Sequence, residues 1–169
     1  MKKFLAAVLA LAVMTAGCSH DGEILDEGTT ASKKEQRVDP SEFEADEILW
    51  FDLECRDEET ADLTEDISIE MYPGDTTAVI NKEEYELSEE QCSKLREFIL
   101  EYSGTVKENK NAYWPQTEEY PAMITLFKFE IRGEDKRYKE TGALCYPDGW
   151  EVFIEDLKEM ITAPEDLRS

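Results

Sequence analysis

The chain has 169 residues, 41 of them acidic and 18 basic, and a formal net charge of −23. A surface of that sign repels nucleic acid, which is held by lysines and arginines that neutralise phosphates, and over the whole chain it repels anionic lipid headgroups as well. The one histidine, His20, stands near the N-terminus, so the rest of the chain has no imidazole for Ser-His-Asp or Cys-His catalysis or for a histidine-dependent zinc site.

Residues 1–17 have the three parts of an export signal. Lys2 and Lys3 are the positive start, residues 4–14 are an unbroken apolar run, and Thr15-Ala16-Gly17 supplies small residues for a peptidase. The apolar run is shorter than the roughly 20 residues a spanning helix needs. Cys18 follows directly, and Thr15-Ala16-Gly17-Cys18 resembles the lipobox of bacterial lipoproteins. That resemblance implies a diacylglycerol on the Cys18 thiol and cleavage before it. It also implies a mature protein anchored by lipid on the extracytoplasmic face of the cell membrane without spanning it. The competing reading is an ordinary secretory signal with an incidental cysteine. Removing Lys2 and Lys3 takes the charge from −23 to −25 (−23 − 2).

Residues 18–46 have few apolar residues, many charges and no periodicity, and they read as an acidic, disordered tether. Residues 47–165 read as a single domain. Residues 48–55 alternate, with Leu49, Phe51, Leu53 and Cys55 opposite Asp52 and Glu54, as a half-buried strand does. Residues 56–66 read as an acidic loop. Residues 67–72 alternate again, Pro73-Gly74-Asp75 turns the chain, and the β-branched residues 76–80 return. Ser88 and Gln91 form a capping box ahead of a helical stripe of Cys92, Leu95, Phe98, Ile99 and Tyr102, with Gly104 as a left-handed stop.

Residues 122–132 read as a strand with Met123, Thr125, Phe127, Phe129 and Ile131 on one side. Residues 133–136 turn, and residues 137–145 pair back. Asp148 and Glu151 cap a last helix whose apolar stripe is Trp150, Phe153, Ile154, Leu157, Met160 and Ile161. Short turns between neighbouring strands force antiparallel pairing. The expected fold is therefore α+β, an antiparallel sheet of about five strands with two amphipathic helices packed on one face.

From Leu87 onward the chain resembles small lipoproteins of Gram-positive anaerobes. They pair a capped helix with a hairpin, then a glycine, a proline and an aromatic that open a final helix; here these are Gly142, Pro147 and Trp150. The resemblance implies fold and location and carries no activity.

With Cys18 lipidated, Cys55, Cys92 and Cys145 remain. One disulfide in any of three pairings is open beside three free thiols. The apolar faces that carry Cys55 and Cys92 fit free thiols, since a free cysteine there behaves as a small hydrophobe. The cysteines lack C-x-x-C spacing, and there is no Gly-x-Gly-x-x-Gly or Walker loop for nucleotides.

Two candidate sites stand out. Asp57, Glu59, Asp62 and Glu65 offer oxygen ligands to a hard cation such as calcium, without the glycine or spacing of an EF-hand loop; a solvated acidic loop is the plainer reading. Tyr113, Trp114, Tyr120 and Tyr146 could form a stacking platform for a glycan or a partner protein, or some of them could pack in the core. The expected function is a lipid-anchored, non-catalytic ligand- or protein-binding module of the cell envelope. The alternative is an envelope hydrolase working through two carboxylates.

Overall fold

The structure, a computed structural model, describes residues 35–114 and 124–163. The expected signal segment, residues 18–34 of the expected tether, Tyr120 and Met123 lie outside the described residues.

Among the described residues seven strands form one sheet in the order β1-β7-β6-β2-β3-β4-β5. They are β1 (Gln36–Arg37), β2 (Trp50–Arg56), β3 (Leu63–Tyr72), β4 (Asp75–Ile80), β5 (Glu83–Glu86), β6 (Phe127–Arg132) and β7 (Lys136–Gly142). Two long helices, α1 (Glu89–Glu108) and α2 (Trp150–Thr162), complete the α+β fold. The period-2 alternation of β2 builds the core. Phe51 lies opposite Ile69 and Ile131, and Leu53 lies opposite Ile67 and Phe129. Directly opposed residues share a sheet face, so one face is apolar at its centre, with Glu65, Glu83 and Glu140 at its margins.

Both helices cover that face. Their stripes, Cys92, Leu95, Ile99 and Val106 on α1 and Trp150, Phe153, Ile154, Leu157 and Ile161 on α2, are buried. The Phe153 ring stacks on Tyr102 (centroids 4.0 Å apart) and on Phe98 (5.1 Å), and meets Phe51 edge-on at 6.4 Å. Gln91 ties the helix ends together. Its Oε1 accepts from the Ser88 amide (3.0 Å), as the capping box predicts, while its Nε2 donates to the Met160 carbonyl near the end of α2 (3.3 Å).

Several sequence expectations need correction. The sheet is mixed and has seven strands where about five antiparallel ones are expected, because β1 pairs in parallel with β7. β5 carries three glutamates and no alternation, and it is built by a two-residue turn at Asn81 (φ 50°) and Lys82 (φ 79°). Such a turn needs two positive φ angles, for which Asn-Gly is the usual signal; lysine in the second place hides it. The acidic loop is shorter than residues 56–66, since β2 runs through Arg56 and β3 begins at Leu63. Gly104 does not end α1. The helix runs on to Glu108 because Val106 is buried and its carbonyl accepts from the Tyr113 hydroxyl (2.9 Å). The α2 cap is neither Asp148 nor Glu151 but Gly149, whose φ of 68° turns the chain into the helix.

The largest departure is at the N-terminal side. Residues 36–46, read from composition as tether, form together with Glu47 a strap across the β7 edge and over the β6–β7 turn. Val38 and Phe43 are buried in the main core. Gln36 and Val38 donate their amides to the Asp135 and Arg137 carbonyls (2.7 and 3.0 Å). Two ion pairs staple the strap down, Lys107 to Asp39 at 2.6 Å and Lys136 to Glu47 at 2.7 Å. A few buried side chains and charge pairs hold twelve residues that have no hydrophobic period to announce them.

Gly142 faces Phe127 across the β6–β7 ladder, and a methyl group there would overlap the Phe127 ring and come within 2.9 Å of Tyr113 Cβ. Gly142→Ala is expected to cost about 1–3 kcal/mol through overpacking, read as a lower urea midpoint; an unchanged midpoint would mean that the ring does not need the space.

The Lys107 side chain, then Ser41, bring the Asp39 carboxyl from 3.8 down to about 2. A depressed folded value means that the strap is fully held by this pair above pH 3.8 and loses it as the pH falls toward about 2. Amide exchange at Val38, taken relative to the intrinsic rate at each pH, is expected to quicken in that window ahead of the β2 amides. In Asp39→Asn it should be quick already at neutral pH and should show no step there. A strap that opens only together with the sheet would contradict this.

Candidate functional site

β2 ends and β3 begins beside the start of α2, and a cleft opens there. Cys55, the last core-facing residue of β2, pairs across the ladder with Glu65 of β3, and the register slips just beyond it, between Cys55 and Arg56. The segment Tyr146-Pro147-Asp148-Gly149 then swings over this end into α2. Trp150 Nε1 donates to Cys55 Sγ (3.2 Å), and the Tyr146 hydroxyl donates to the Arg56 carbonyl (2.5 Å). The Tyr146 and Trp150 rings stack with centroids 5.9 Å apart. Lys158, two turns along α2, reaches back to Glu65 (Nζ to Oε1, 2.5 Å).

These residues line a cavity of about 740 Å³, with Glu155 on its outer wall. That volume lies in the range of small-ligand sites, about 300–1,000 Å³. Asp148, Glu151 and Glu155 stand on its rim against the single cation Lys158, so the mouth is acidic and its floor aromatic.

The chemistry inside the cleft is restrained. Burial pushes the Cys55 thiol up to about 12, against the smaller opposing effect of the Trp150 hydrogen bond. A nucleophilic cysteine needs the opposite, a thiolate at neutral pH. Glu65 is engaged twice, by Lys158 and by Asn81 Nδ2 (2.9 Å). The arrangement suits binding by stacking and hydrogen bonds rather than bond-making by an activated group.

No family model, curated protein or solved structure matches this chain. The site must therefore be read from its own geometry.

The aromatic candidates part company. Tyr146 lines the cleft. Tyr113 is fully buried, edge-on to Phe127 at 4.9 Å. It is a core residue because its hydroxyl finds the Val106 carbonyl inside the protein. Trp114 is 38% exposed, and its Nε1 donates to the Thr141 carbonyl on the outer edge of β7 (2.8 Å). Tyr113 and Trp114 thus do not join Tyr146 in one platform.

The acidic candidates separate too. Asp57 Oδ1 accepts from the Glu59 and Thr60 amides (2.9 and 2.8 Å), which closes the turn between β2 and β3 and holds the carboxyl below its usual range. Glu65 points into the cleft instead. Among the described residues no three metal-ligating side chains come together. Cys55, Cys92 and Cys145 are free thiols.

Sequence reasoning missed the contacts between Trp150 and Cys55 and between Lys158 and Glu65. They join residues more than 90 positions apart, and only the alternation that turned Cys55 toward the helices hinted at the first. It missed as well a charged cluster on the opposite sheet face. Glu130 is 1% exposed there, with Arg132 Nε and Arg137 Nε both 2.6 Å from its Oε1. Burial works against its charge, yet the two guanidiniums outweigh that and hold the carboxyl below the usual range.

The three thiols differ in access. Ellman's reagent is expected to find Cys145, which is only half-buried, quickly in a chain starting at residue 19, and to find Cys55 and Cys92 only on unfolding. Cys145→Ser should remove the fast phase. A fast phase surviving in that variant would mean that the cleft admits the reagent to Cys55.

Proposed function

We propose that this protein is a lipid-anchored, extracytoplasmic binding module of the cell envelope, held at the membrane by Cys18 and binding a glycan or a partner protein in the cleft at the start of α2. The lipobox-like Thr15-Ala16-Gly17-Cys18 supports the anchor. The observation that carries the binding reading is the cleft itself, a cavity of about 740 Å³ with Tyr146 and Trp150 in its lining and a rim of carboxylates. Its one sulfhydryl is kept protonated by burial and its inner carboxylate Glu65 is already paired. That supports recognition over turnover. Stacked aromatic rings beside hydrogen-bonding carboxylates are the surface on which sugars and amphipathic side chains are held.

Two measurements test the two halves. Cys18→Ala is expected to abolish incorporation of labelled palmitate; incorporation that persists in the variant would remove the anchor. For the cleft, the melting temperature of the unlipidated chain from Cys18 onward is read against cell-wall glycans and envelope peptides. A true ligand at 100 times its dissociation constant stabilises the fold by about 2.7 kcal/mol. Glu155→Arg, a change on the exposed rim, should leave the unliganded melting temperature in place and shrink the ligand shift. A ligand whose shift is untouched by it binds elsewhere.

A further inference from the structure

The two sheet faces divide the charges unevenly. Opposite the helices, β3, β4 and β5 present Asp66, Glu70, Glu84 and Glu86; in the middle Lys128 of β6 is taken up by Asp52 and Glu54 of β2; and toward the other edge β1, β7 and β6 present Arg37, Arg137, Lys139 and Arg132 around Glu130. With Lys128 set aside beside its partners Asp52 and Glu54, that strip carries four cations and one anion, net +3 (4 − 1), in a chain of net charge −23. It is also organised. Glu130 gathers the Arg132 and Arg137 side chains by their Nε atoms at 2.6 Å and has Lys139 Nζ at 3.8 Å. The three cationic side chains remain 34–38% exposed. Arg37 is exposed and lays its Nη2 on the Lys139 carbonyl (2.9 Å). Arg132 lies over the Trp50 ring, 4.3 Å from its centroid, a pairing of aromatic and cation that suits a membrane–water interface.

We propose that this strip is the surface with which the domain rests on anionic lipid headgroups of the membrane that anchors it. The reading depends on the anchored location for the presence of that membrane, and on the charge pattern for everything else. Two observations select lipid as the occupant.

The first is where the chain from the anchor enters. Eighteen residue steps (36 − 18) separate Cys18 from Gln36, at most about 65 Å of fully extended chain, and they end at β1, inside the strip. The second is screening. Strands are about 4.8 Å apart, so the acids of β3–β5 lie roughly 14–24 Å from β7, beyond the Debye length of about 8 Å at physiological salt, and the nearer Asp52 and Glu54 of β2, roughly 10 Å from β7, are paired with Lys128. The repulsion expected from the whole-chain charge is therefore weak at the strip. Glu134 and Asp135, in the turn beyond its end, limit the attraction to one that is modest and reversible. With the helices on the far side of the sheet, this contact leaves the cleft facing away from the bilayer.

The test uses the unlipidated chain from Cys18 onward and sedimentation with phosphatidylcholine vesicles with or without phosphatidylglycerol. Binding is expected only to the phosphatidylglycerol vesicles and is expected to fall as salt is raised. Each basic side chain near an anionic surface contributes about a fivefold change in affinity, so Arg137→Gln with Lys139→Gln should weaken binding by roughly 25-fold. Glu84→Gln with Glu86→Gln, on the distant acidic edge, should change it little. Circular dichroism and the urea midpoint establish that the variants are folded. Absence of phosphatidylglycerol-dependent binding, or binding that responds equally to both double variants, overturns the proposal. Neither result bears on Cys18, whose lipidation is read separately by palmitate incorporation.

Discussion

The fold hangs on the position of β2. Hydrogen-bonded to β6 on one edge and to β3 on the other, it has no free edge, and its alternation sets the character of both faces of the sheet. Phe51 and Leu53 point to one side with zero exposure, while Asp52 and Glu54 point to the other and both pair with Lys128. A slip of one residue would exchange these sets and place two carboxylates beneath the helices, at a cost no packing could offset. Both faces of β2 therefore enforce one register, and β6, β3 and the helices take their places from it.

The apolar face is closed by aromatic stacking between helices rather than by aliphatic interdigitation alone. Phe153 is the hinge of that layer, in ring contact with both α1 aromatics and with Phe51 and Phe129 below. The cleft follows from the same arrangement. Gly149 starts α2 in a left-handed conformation, which brings Trp150 over Cys55 and leaves Tyr146 outside it. The cavity is the space between a strand that ends and a helix that has just begun.

The opposite face shows how so acidic a chain tolerates its charge. Like charges are spread across β3 to β5, and the scarce cations gather on β6 and β7, where they compensate Glu130 and Asp52. A buried carboxylate such as Glu130 is costly unless paired and hydrogen-bonded. It persists here because guanidinium groups from two neighbouring strands meet it. Arg37 and Trp114 extend the same economy to the sheet edge, where their side chains occupy the Lys139 and Thr141 carbonyls that β1 is too short to reach. An edge with its acceptors occupied is a poor template for pairing with another chain.

Much of this was legible in the sequence wherever the controlling physics is local. Alternation in residues 48–55, the Ser88 and Gln91 capping box and the apolar stripe of α2 are short-range patterns, and they specify the strands, helices and α+β class by themselves. What depends on distant partners was not legible. The strap looks like tether over residues 36–46 because its order comes from Lys107, Lys136 and the β7 edge. β5 is hidden because a lysine takes a left-handed position that pattern reading reserves for glycine. Gly104 signals a stop that the burial of Val106 overrides.

The same division runs through the site. Tyr146 could be named from its chemistry, but whether Tyr113 and Trp114 joined it was decided by which buried carbonyl or sheet edge each ring could reach. The cleft itself depends on Cys55 meeting Trp150 across 95 positions. Periodicity and caps are written in neighbouring residues, whereas cavities, ion-pair clusters and sheet edges arise only where remote segments meet.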